Sequence, residues 1–588
     1  MAGPAPKTND TLRQMVLACR EHLWAAFSFS ALVNILYLAP SLFMLQIYDR
    51  VLTSGGILTL AFLCIVLTAS LGALAWLDAV RGRILARAGL RLDKQLSATL
   101  LRAALTPDPR NPRPRAREAL RDLDTVRQTL VGAPALSVFD APWAIFFIAV
   151  CFGMHWAIGT FVFFGCLALA GAALMNERAQ QRSMKRITEQ APLVYAAQDA
   201  DAIGAEAARA LGMREALVQR SETRRRSLLE AQADSAFIQS NYGAGTKFVR
   251  LMLQSAVLAI GAILAVQQQI SPGAMIAASI ISARAFAPLE QIVGSWRALV
   301  QGVASWRNVE SILAARPTER ARMTLPAPAG RLCVERVSMM TPDGKRPALQ
   351  GVSFEVAPGE IVGVVGPSGA GKTSLARVVA GALPAQGGVV RLDGANIADW
   401  DSELLAPHVG YLPQDVSLFD GTIAENISRF AAIGGDRSDT LSQDVVAAAK
   451  QAGAHDMILH LPDGYDTLLG PRGAGLSAGQ AQRIALARAL FRAPVLIVLD
   501  EPNAHLDADG EIALVTALRN AKARGAASLV IAHRLGVLGV ADKVLVLRDG
   551  RVAEFGPRAD IMAKMRGPGA STPSGALPGP GASPGPSS

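Results

Sequence analysis

Long apolar stretches alternate with Arg-rich stretches over roughly the first 300 residues of the chain. A helix needs about 20 predominantly apolar residues to cross the hydrocarbon core of a bilayer. Six stretches meet this requirement, near residues 23–45, 57–79, 134–153, 156–176, 248–268 and 272–294. The sixth is amphipathic and carries Arg284 and Glu290. The pattern predicts a membrane domain of six transmembrane α-helices over residues 23–316, preceded by a short segment over residues 1–22.

The pattern changes after Pro317, where short β-branched runs alternate with helical segments and Gly-rich turns. This alternation is typical of a parallel sheet with helices on its faces, so we expect an α/β domain over residues 330–563. Residues 567–588 are mostly Gly, Pro, Ala and Ser. Because such a composition cannot bury enough apolar surface to offset its conformational entropy, we expect a disordered tail there.

The loops between the predicted spans differ in charge. Segments 80–133 and 177–247 are rich in Arg, whereas the other connections are short and lightly charged. The positive-inside rule places both basic segments and both termini in the cytoplasm. The chain is 51% hydrophobic and 18% charged with a net charge of +10, a composition rare in soluble proteins. Since no basic patch is interleaved with aromatic residues, we expect membrane lipid, and not nucleic acid, as a partner.

A phosphate-binding pattern follows the predicted strand over residues 361–365. It consists of Gly366, Pro367, Ser368, Gly369, Ala370, Gly371, Lys372 and Thr373, with Ser374 next in the predicted helix. Glycines let the backbone of such a P-loop curl with its N–H groups pointing at phosphate, and the helix N-terminus adds a favourable dipole. We expect Lys372 to reach the β- and γ-phosphates and Thr373 to bind Mg²⁺. The predicted cofactors are therefore ATP and Mg²⁺.

A second element of the predicted nucleotide site is an apolar run over residues 495–499 that ends in Asp500 and Glu501. A carboxylate at the end of a buried strand suits the Mg²⁺ shell, often through water, and we assign this role to Asp500. Glu501 is placed to polarise the attacking water as a general base. This pair is common by itself, but its distance after the P-loop favours a nucleotide-hydrolysing site.

Between these elements the chain reads Leu-Ser-Ala-Gly-Gln over residues 476–480 and resembles the Leu-Ser-Gly-Gly-Gln signature of the ATP-binding-cassette family. The resemblance extends to Gln414 (the Q-loop), Asp507 (the D-loop) and His533 (the switch histidine), in the family's order. It implies catalytic roles for Glu501, His533, Lys372 and Gln414, with Gln414 also a Mg²⁺ ligand. It implies nucleotide contacts for Ser477, Gly479, Gln480 and Asp507. Because Ser477 and Gly479 would contact ATP held by the opposite subunit, we expect a homodimer.

Three positions depart from the family pattern. Ala478 replaces the first signature glycine, and Ala481 stands where many relatives have a basic or polar residue. Relatives usually place an aromatic ring before the P-loop to stack on adenine, but this stretch reads Met-Met-Thr-Pro over residues 339–342. Met340 offers an apolar contact to the base without stacking.

Three stretches of the membrane half resemble type I secretion ATPases, in particular the exporters of metalloproteases, lipases and surface-layer proteins. They read MLQIYDRVL over residues 44–52, FDAPW over residues 139–143 and SPGAMIAAS over residues 271–279. The resemblance implies an inner-membrane exporter of unfolded polypeptides with a C-terminal signal. Its partners would be a periplasmic membrane fusion (adaptor) protein and an outer-membrane channel. Only about 22 residues precede the first span, so we expect no N-terminal peptidase-like domain.

Alternatives to this interpretation remain open. Tyr48, Asp49 and Pro142 are also explained as span-end anchors and kinks. A lipid or drug exporter shares the same architecture and ATPase. A non-transport ATPase with a membrane anchor is disfavoured because an anchor needs one span.

Two further hypotheses concern the membrane domain. Arg284 in the sixth span is predicted to line the translocation route, because charges at membrane depth usually face a water-filled path. The alternative is that it snorkels to the cytoplasmic boundary. The segments 123–129 and 203–213 are candidate coupling helices that press on the ATPase domain, or else ordinary solvated helices.

Overall fold

The computed structural model describes residues 8–105, 116–314, 325–341, 344–436, 438–470, 473–532 and 535–566. Its contacts divide the chain into two units, one holding the described helices up to Ala314 and one beginning at residue 325. The first unit is all-helical and the second is α/β, which confirms the predicted fold class. His533 and the predicted tail over residues 567–588 lie outside the described residues.

The membrane unit consists of consecutive helices. Their bounds are α1 Thr8–Leu36, α2 Ala39–Gln46, a π-helical turn Ile47–Val51, α3 Leu52–Ser54, α4 Ile57–Leu105, α5 Ala116–Val131, α6 Ala133–Asp140, α7 Trp143–Met154, α8 Trp156–Ile203, α9 Ala205–Ala210, α10 Arg214–Val266 and α11 Pro272–Ala314.

In the described chain, five helices are long and apolar enough to cross a membrane: Arg20–Ser54, Ile57–Leu105, Trp156–Ile203, Arg214–Val266 and Pro272–Ala314. The pair α6–α7, bent by 42° at residues 141–142, brings the number to six if it forms one span. The stretch predicted as a single third span is thus a broken helix. Pro142 lies at the break, where its ring and missing N–H disrupt the helical hydrogen-bond ladder.

Four membrane-unit helices are far longer than a bilayer requires. Helices α4, α8, α10 and α11 have 49, 48, 53 and 43 residues. At about 1.5 Å per residue each extends well beyond the hydrocarbon core. Of the two candidate coupling segments, residues 123–129 lie within α5, and residues 203–213 surround α9 and leave Leu211 and Met213 exposed. Their contact with the ATPase domain stays a prediction.

The second unit alternates strands and helices. Its strands are β1 Leu332–Met340, β2 Pro347–Val356, β3 Ile361–Val365, β4 Gly387–Leu392, β5 Ala395–Asn396, β6 Val409–Leu412, β7 Gly421–Thr422, β8 Leu468–Leu469, β9 Leu496–Asp500, β10 Ala527–Ile531, β11 Lys543–Arg548 and β12 Arg551–Pro557. Its helices are α12 Lys372–Val379, α13 Ser402–Leu405, α14 Ile423–Ile427, α15 Leu441–Gln451, α16 His455–Leu459, α17 Ala478–Leu490, α18 Ala508–Ala523, α19 Leu535–Leu538 and α20 Arg558–Arg566.

Two main sheets organise this unit. A six-stranded sheet has the order β12-β11-β3-β10-β9-β6, in which only β12 runs antiparallel to its neighbour. A four-stranded antiparallel sheet has the order β2-β1-β4-β5. The central strands β3, β9 and β10 are buried at every position. Buried parallel strands carry near-continuous apolar runs, which is why the sequence shows no alternation there.

Candidate nucleotide-binding site

Four neighbouring parallel strands end at the same edge of the six-stranded sheet. They are β3, β10, β9 and β6, in that spatial order. The P-loop follows β3, Asp500 closes β9, and Gln414 comes two residues after β6. Ligands of open α/β sheets bind at the carboxyl ends of the strands. The topology therefore brings together motifs that lie more than 100 residues apart in sequence.

Three glycines of the P-loop have positive φ: Gly366 at +157°, Gly369 at +80° and Gly371 at +97°. Two of them, Gly366 and Gly371, also lie against the backbone of neighbouring strands. A Cβ at Gly366 would lie 2.2 Å from the Leu547 carbonyl oxygen, and one at Gly371 would lie 2.2 Å from the Ala348 carbonyl oxygen. No side chain fits at either position without moving the backbone of a neighbouring strand. The loop between them, residues 367–369, is exposed and open to a phosphate.

Lys372 begins α12 and is only 7% exposed. Its Nζ donates hydrogen bonds to the carbonyl oxygens of Gly366, at 2.8 Å, and of Pro367, at 3.0 Å. The ammonium group thus lies against the loop that it is predicted to serve. Because both acceptors are neutral, the positive charge stays available to phosphate oxygens.

The residues predicted to bind Mg²⁺ form a group of oxygen ligands. The Thr373 hydroxyl donates to Gln414 Oε1 at 3.2 Å. Asp500 is fully buried, and neither carboxylate oxygen has a hydrogen-bond partner among the described residues. Burial raises the pKa of Asp500 above its usual range. A buried carboxylate without a partner beside hydroxyl and amide oxygens is what a hard divalent cation requires, so these residues fit Mg²⁺.

Glu501 directly follows strand β9 and has φ +51°, a left-handed backbone uncommon for a residue with a side chain. Its N–H donates to the Ile531 carbonyl oxygen at 3.0 Å, which ties it to the end of β10. Such strained residues cost about 1–3 kcal/mol and cluster at functional sites. The conformation turns the chain out of the sheet immediately after Asp500, so the two carboxylates occupy different environments.

The signature residues form the start of helix α17. Ser477 is the N-cap: its hydroxyl accepts from the Gln480 N–H at 3.3 Å, and Gln480 Oε1 accepts from the Ser477 N–H at 2.8 Å. This reciprocal capping box leaves an exposed helix N-terminus, which favours anions. Ala478 is exposed, whereas a Cβ at Gly479 would lie 2.9 Å from the His505 carbonyl oxygen. The geometry explains why this signature accepts alanine at residue 478 and keeps glycine at residue 479: a methyl group has space at the first of these positions and would meet the His505 backbone at the second.

Asp507 connects the D-loop to the signature helix. It caps α18 by accepting from the Gly510 N–H at 2.9 Å, and it forms an ion pair with Arg483 of α17. The Gly510 N–H and the Arg483 guanidinium together hold the pKa of Asp507 below its usual range. A second link is Gln482, a buried side chain whose Nε2 donates to the Pro502 carbonyl oxygen at 2.9 Å. The sequence reasoning overlooked Gln482 and Arg483, although both are polar residues in the run that follows the signature.

Met340 closes strand β1 and pairs with Pro347 of β2. Its side chain is 37% exposed and borders a cavity of about 560 Å³, and its N–H donates to Gln386 Oε1 at 2.9 Å. The lining contains no aromatic ring within the described residues. This edge of the antiparallel sheet lies beside the P-loop, since the Ala348 carbonyl oxygen is so near Gly371 that a Cβ at residue 371 would lie 2.2 Å from it.

Two family models match the chain: "ABC transporter" over residues 349–504 and "ABC transporter transmembrane region" over residues 23–289. The "Type I secretion system ATP-binding protein PrsD" of Rhizobium meliloti (strain 1021) is 43% identical over 571 residues, covering 96% of this chain and 95% of the relative. The chain therefore belongs to the ABC transporters and, among them, to the type I secretion ATP-binding proteins.

Two other similarities are more limited. The "ATP-dependent lipid A-core flippase" of Chromobacterium violaceum is 38% identical over 273 residues, covering only 46% of this chain and 45% of the relative. The solved structure of a bacterial Atm1-family ABC exporter with ATP bound has a TM-score of 0.78 and 23% identity, covering 96% of this chain and 100% of that chain. At this identity the similarity supports the fold alone.

Proposed function

We propose that this chain is the ATP-hydrolysing subunit of a type I secretion exporter in the cell inner membrane, and that it moves unfolded polypeptides carrying a C-terminal signal. The main support is the match to a type I secretion ATP-binding protein along 96% of the chain, spans and cassette alike. The P-loop, the carboxylate pair and the Q-loop on one sheet edge supply the ATPase that such an exporter needs.

Hydrolysis in this proposal follows from the polar groups of the site. Lys372 and the P-loop amides bind the phosphates, and Glu501 accepts a proton from the attacking water. His533 completes the catalytic set. The phosphate faces a second chain, whose signature residues Ser477 and Gly479 close the site. The functional transporter is therefore a homodimer in which each ATP lies between two cassettes.

Thr373, Gln414 and Asp500 would hold Mg²⁺, which neutralises phosphate charge when bound. These side chains are already in position in the chain: the Thr373 hydroxyl donates a hydrogen bond to Gln414, and Asp500 is held at the end of a buried strand. This arrangement avoids reorganisation when nucleotide arrives.

The orientation proposed for the chain places the cassette and both termini in the cytoplasm. The Arg-rich segments 80–133 and 177–247 support it through the positive-inside rule. The opposite side then meets a periplasmic membrane fusion protein and, through it, an outer-membrane channel. The proposed cytoplasmic N-terminal segment covers residues 1–22, and the membrane domain covers residues 23–316. The proposed cassette covers residues 330–563, and the disordered tail covers residues 567–588.

The decisive experiment replaces the proposed base with an isosteric neutral group. A Glu501→Gln variant of the full chain in nanodiscs is expected to retain ATP–Mg²⁺ binding, lose steady-state hydrolysis and accumulate cassette-to-cassette cross-links. Glu554→Gln on the edge strand β12 is the matched control and is expected to hydrolyse ATP normally. If Glu501→Gln neither traps ATP nor cross-links through its cassettes, the proposed mechanism is wrong.

A lipid or drug exporter is the second candidate, favoured by the partial match to a lipid A-core flippase. The two functions are separated by what stimulates the ATPase of the reconstituted wild-type chain. Stimulation by a C-terminal secretion-signal peptide supports polypeptide export. Stimulation by lipid A or a hydrophobic drug, and not by the peptide, contradicts it.

A further inference from the structure

Two arginines near the spans are neutralised by carboxylates within the membrane unit. Arg81, only 5% exposed, pairs with Asp78 at 2.7 Å and with Asp140 at 2.8 Å. Arg250 of α10 pairs with Glu290 of α11 at 2.5 Å. Such pairing is expected because an isolated charge among apolar helices is costly.

Arg284 differs from these two arginines. Its guanidinium carbon lies 3.8 Å from the centroid of the Tyr37 ring, and no carboxylate of the described chain forms an ion pair with it. It lies 12 residues after Pro272, the first residue of α11. At about 1.5 Å per residue this is roughly 18 Å, near the middle of the hydrocarbon core. An aromatic face offsets only part of the cost of a cation at this depth, so the charge remains available to an anion.

A proline follows each residue of this pair along its own helix. The first span has a two-residue turn between Leu36 and Ala39 that contains Tyr37, whereas α11 continues through Pro288. Pro40 has no N–H to donate to the Leu36 carbonyl, and Pro288 has none to donate to the carbonyl of Arg284. Main-chain carbonyls that lack their helical N–H partner at membrane depth are a recurring feature of substrate sites in transporters.

The geometry points to the Arg284–Tyr37 pair as a recognition point for carboxylate groups of the translocated polypeptide, an inference that rests on the proposed export function. The guanidinium offers a planar fork of N–H donors that matches a carboxylate. The carbonyls of Leu36 and Arg284 offer acceptors to main-chain N–H groups. An acidic, extended peptide supplies both partners, whereas a phospholipid supplies an anion with few N–H donors.

The test uses the full chain in phosphatidylcholine nanodiscs and a fluorescent 30-residue peptide of Gly, Ser and Asp. A second peptide has Asn at every Asp position. The wild-type chain is expected to bind the Asp peptide about tenfold more tightly than the Asn peptide, because hydrogen bonds to charged groups add roughly this factor. Arg284→Gln removes the cation and is expected to bring the ratio close to one, whereas Arg284→Lys keeps part of the preference.

The matched control replaces a neutralised pair, Arg250→Gln together with Glu290→Gln, and is expected to keep the preference of the wild-type chain. A wild-type chain that binds both peptides equally, or an Arg284→Gln variant that keeps the preference, overturns the inference while polypeptide export stands. Displacement of the Asp peptide by phosphatidylglycerol from the wild-type chain but not from Arg284→Gln assigns the cation to lipid and also overturns it. Absence of binding by either peptide, with ATPase stimulated by lipid, counts against polypeptide export itself.

Discussion

The contrast between Gly479 and Ala478 allows a sharp test of how the signature is built. The perturbation is Gly479→Ala, which adds one methyl group to the first turn of α17. Its Cβ would lie 2.9 Å from the His505 carbonyl oxygen. Ordinary contacts are about 3.5–4.0 Å, so the helix start or the D-loop must move by roughly half an ångström or more.

The expected loss of stability and ATP turnover follows from the rigidity of this contact. The clash is with backbone, which cannot rotate away as a side chain can, and overpacking of this kind costs about 1–3 kcal/mol. If the cost falls on the closed cassette dimer, where the signature must meet phosphate, ATP turnover drops by about fivefold to 150-fold. The measurement is steady-state ATPase of the reconstituted full chain over a range of ATP concentrations, together with its unfolding temperature.

Ala478→Gly is the matched control at the neighbouring position. Ala478 is exposed, so removing its methyl group opens no cavity, and we expect ATP turnover close to that of the wild-type chain. A Gly479→Ala variant with the wild-type rate and unfolding temperature would show that the His505 backbone does not restrict this position. An Ala478→Gly variant that loses as much activity as Gly479→Ala would contradict the difference between the two positions.

Two further predictions concern a buried carboxylate and a helix contact. Burial raises the pKa of Asp500, so its ionised form destabilises the nucleotide-free fold at neutral pH; this cost declines as the pH falls through the raised pKa and is lost below the ordinary pKa of an aspartate. Asp500→Asn should therefore raise the unfolding temperature at pH 7, with a gap that narrows on acidification, while Mg²⁺-dependent ATPase falls at least about a hundredfold; equal unfolding temperatures at pH 7 would contradict this. A Cβ at Gly273 would lie 2.6 Å from Asp49 Oδ1, the atom that accepts the Gly273 N–H, so Gly273→Ala should destabilise the full chain in detergent by about 1–3 kcal/mol. Gly72→Ala, which meets no atom within 4 Å, is its control, and equal melting curves for the two variants would disprove the contact.

Much of the fold and of the nucleotide site was predictable from local patterns. Apolar stretches of bilayer length predicted the spans, because a helix in lipid must satisfy its own backbone and stay apolar along its length. The P-loop and the Asp500–Glu501 pair were recognisable because phosphate binding requires Gly at tight turns and a carboxylate at a strand end. The homologue PrsD confirmed the family that these motifs indicated.

Other features follow from contacts between residues remote in sequence. Asp49 accepts hydrogen bonds from Ser271 and from the Gly273 N–H, so two of the three secretion-type stretches pack against each other. The sequence allowed Asp49 to be only a span-end anchor, and nothing local indicated its partner.

The sequence by itself determined the elements and the chemistry: which stretches suit lipid, which loop suits phosphate, and which carboxylates follow a buried strand. Only the tertiary structure decided that Asp500 is buried without a partner, that Gly479 is closed off by the His505 backbone, and that Arg284 stacks on Tyr37 while Arg250 is paired. The physical reason is the distance along the chain over which each interaction acts. Periodicity and turn chemistry act over a few residues, whereas desolvation, steric closure and charge pairing depend on neighbours brought together by the fold.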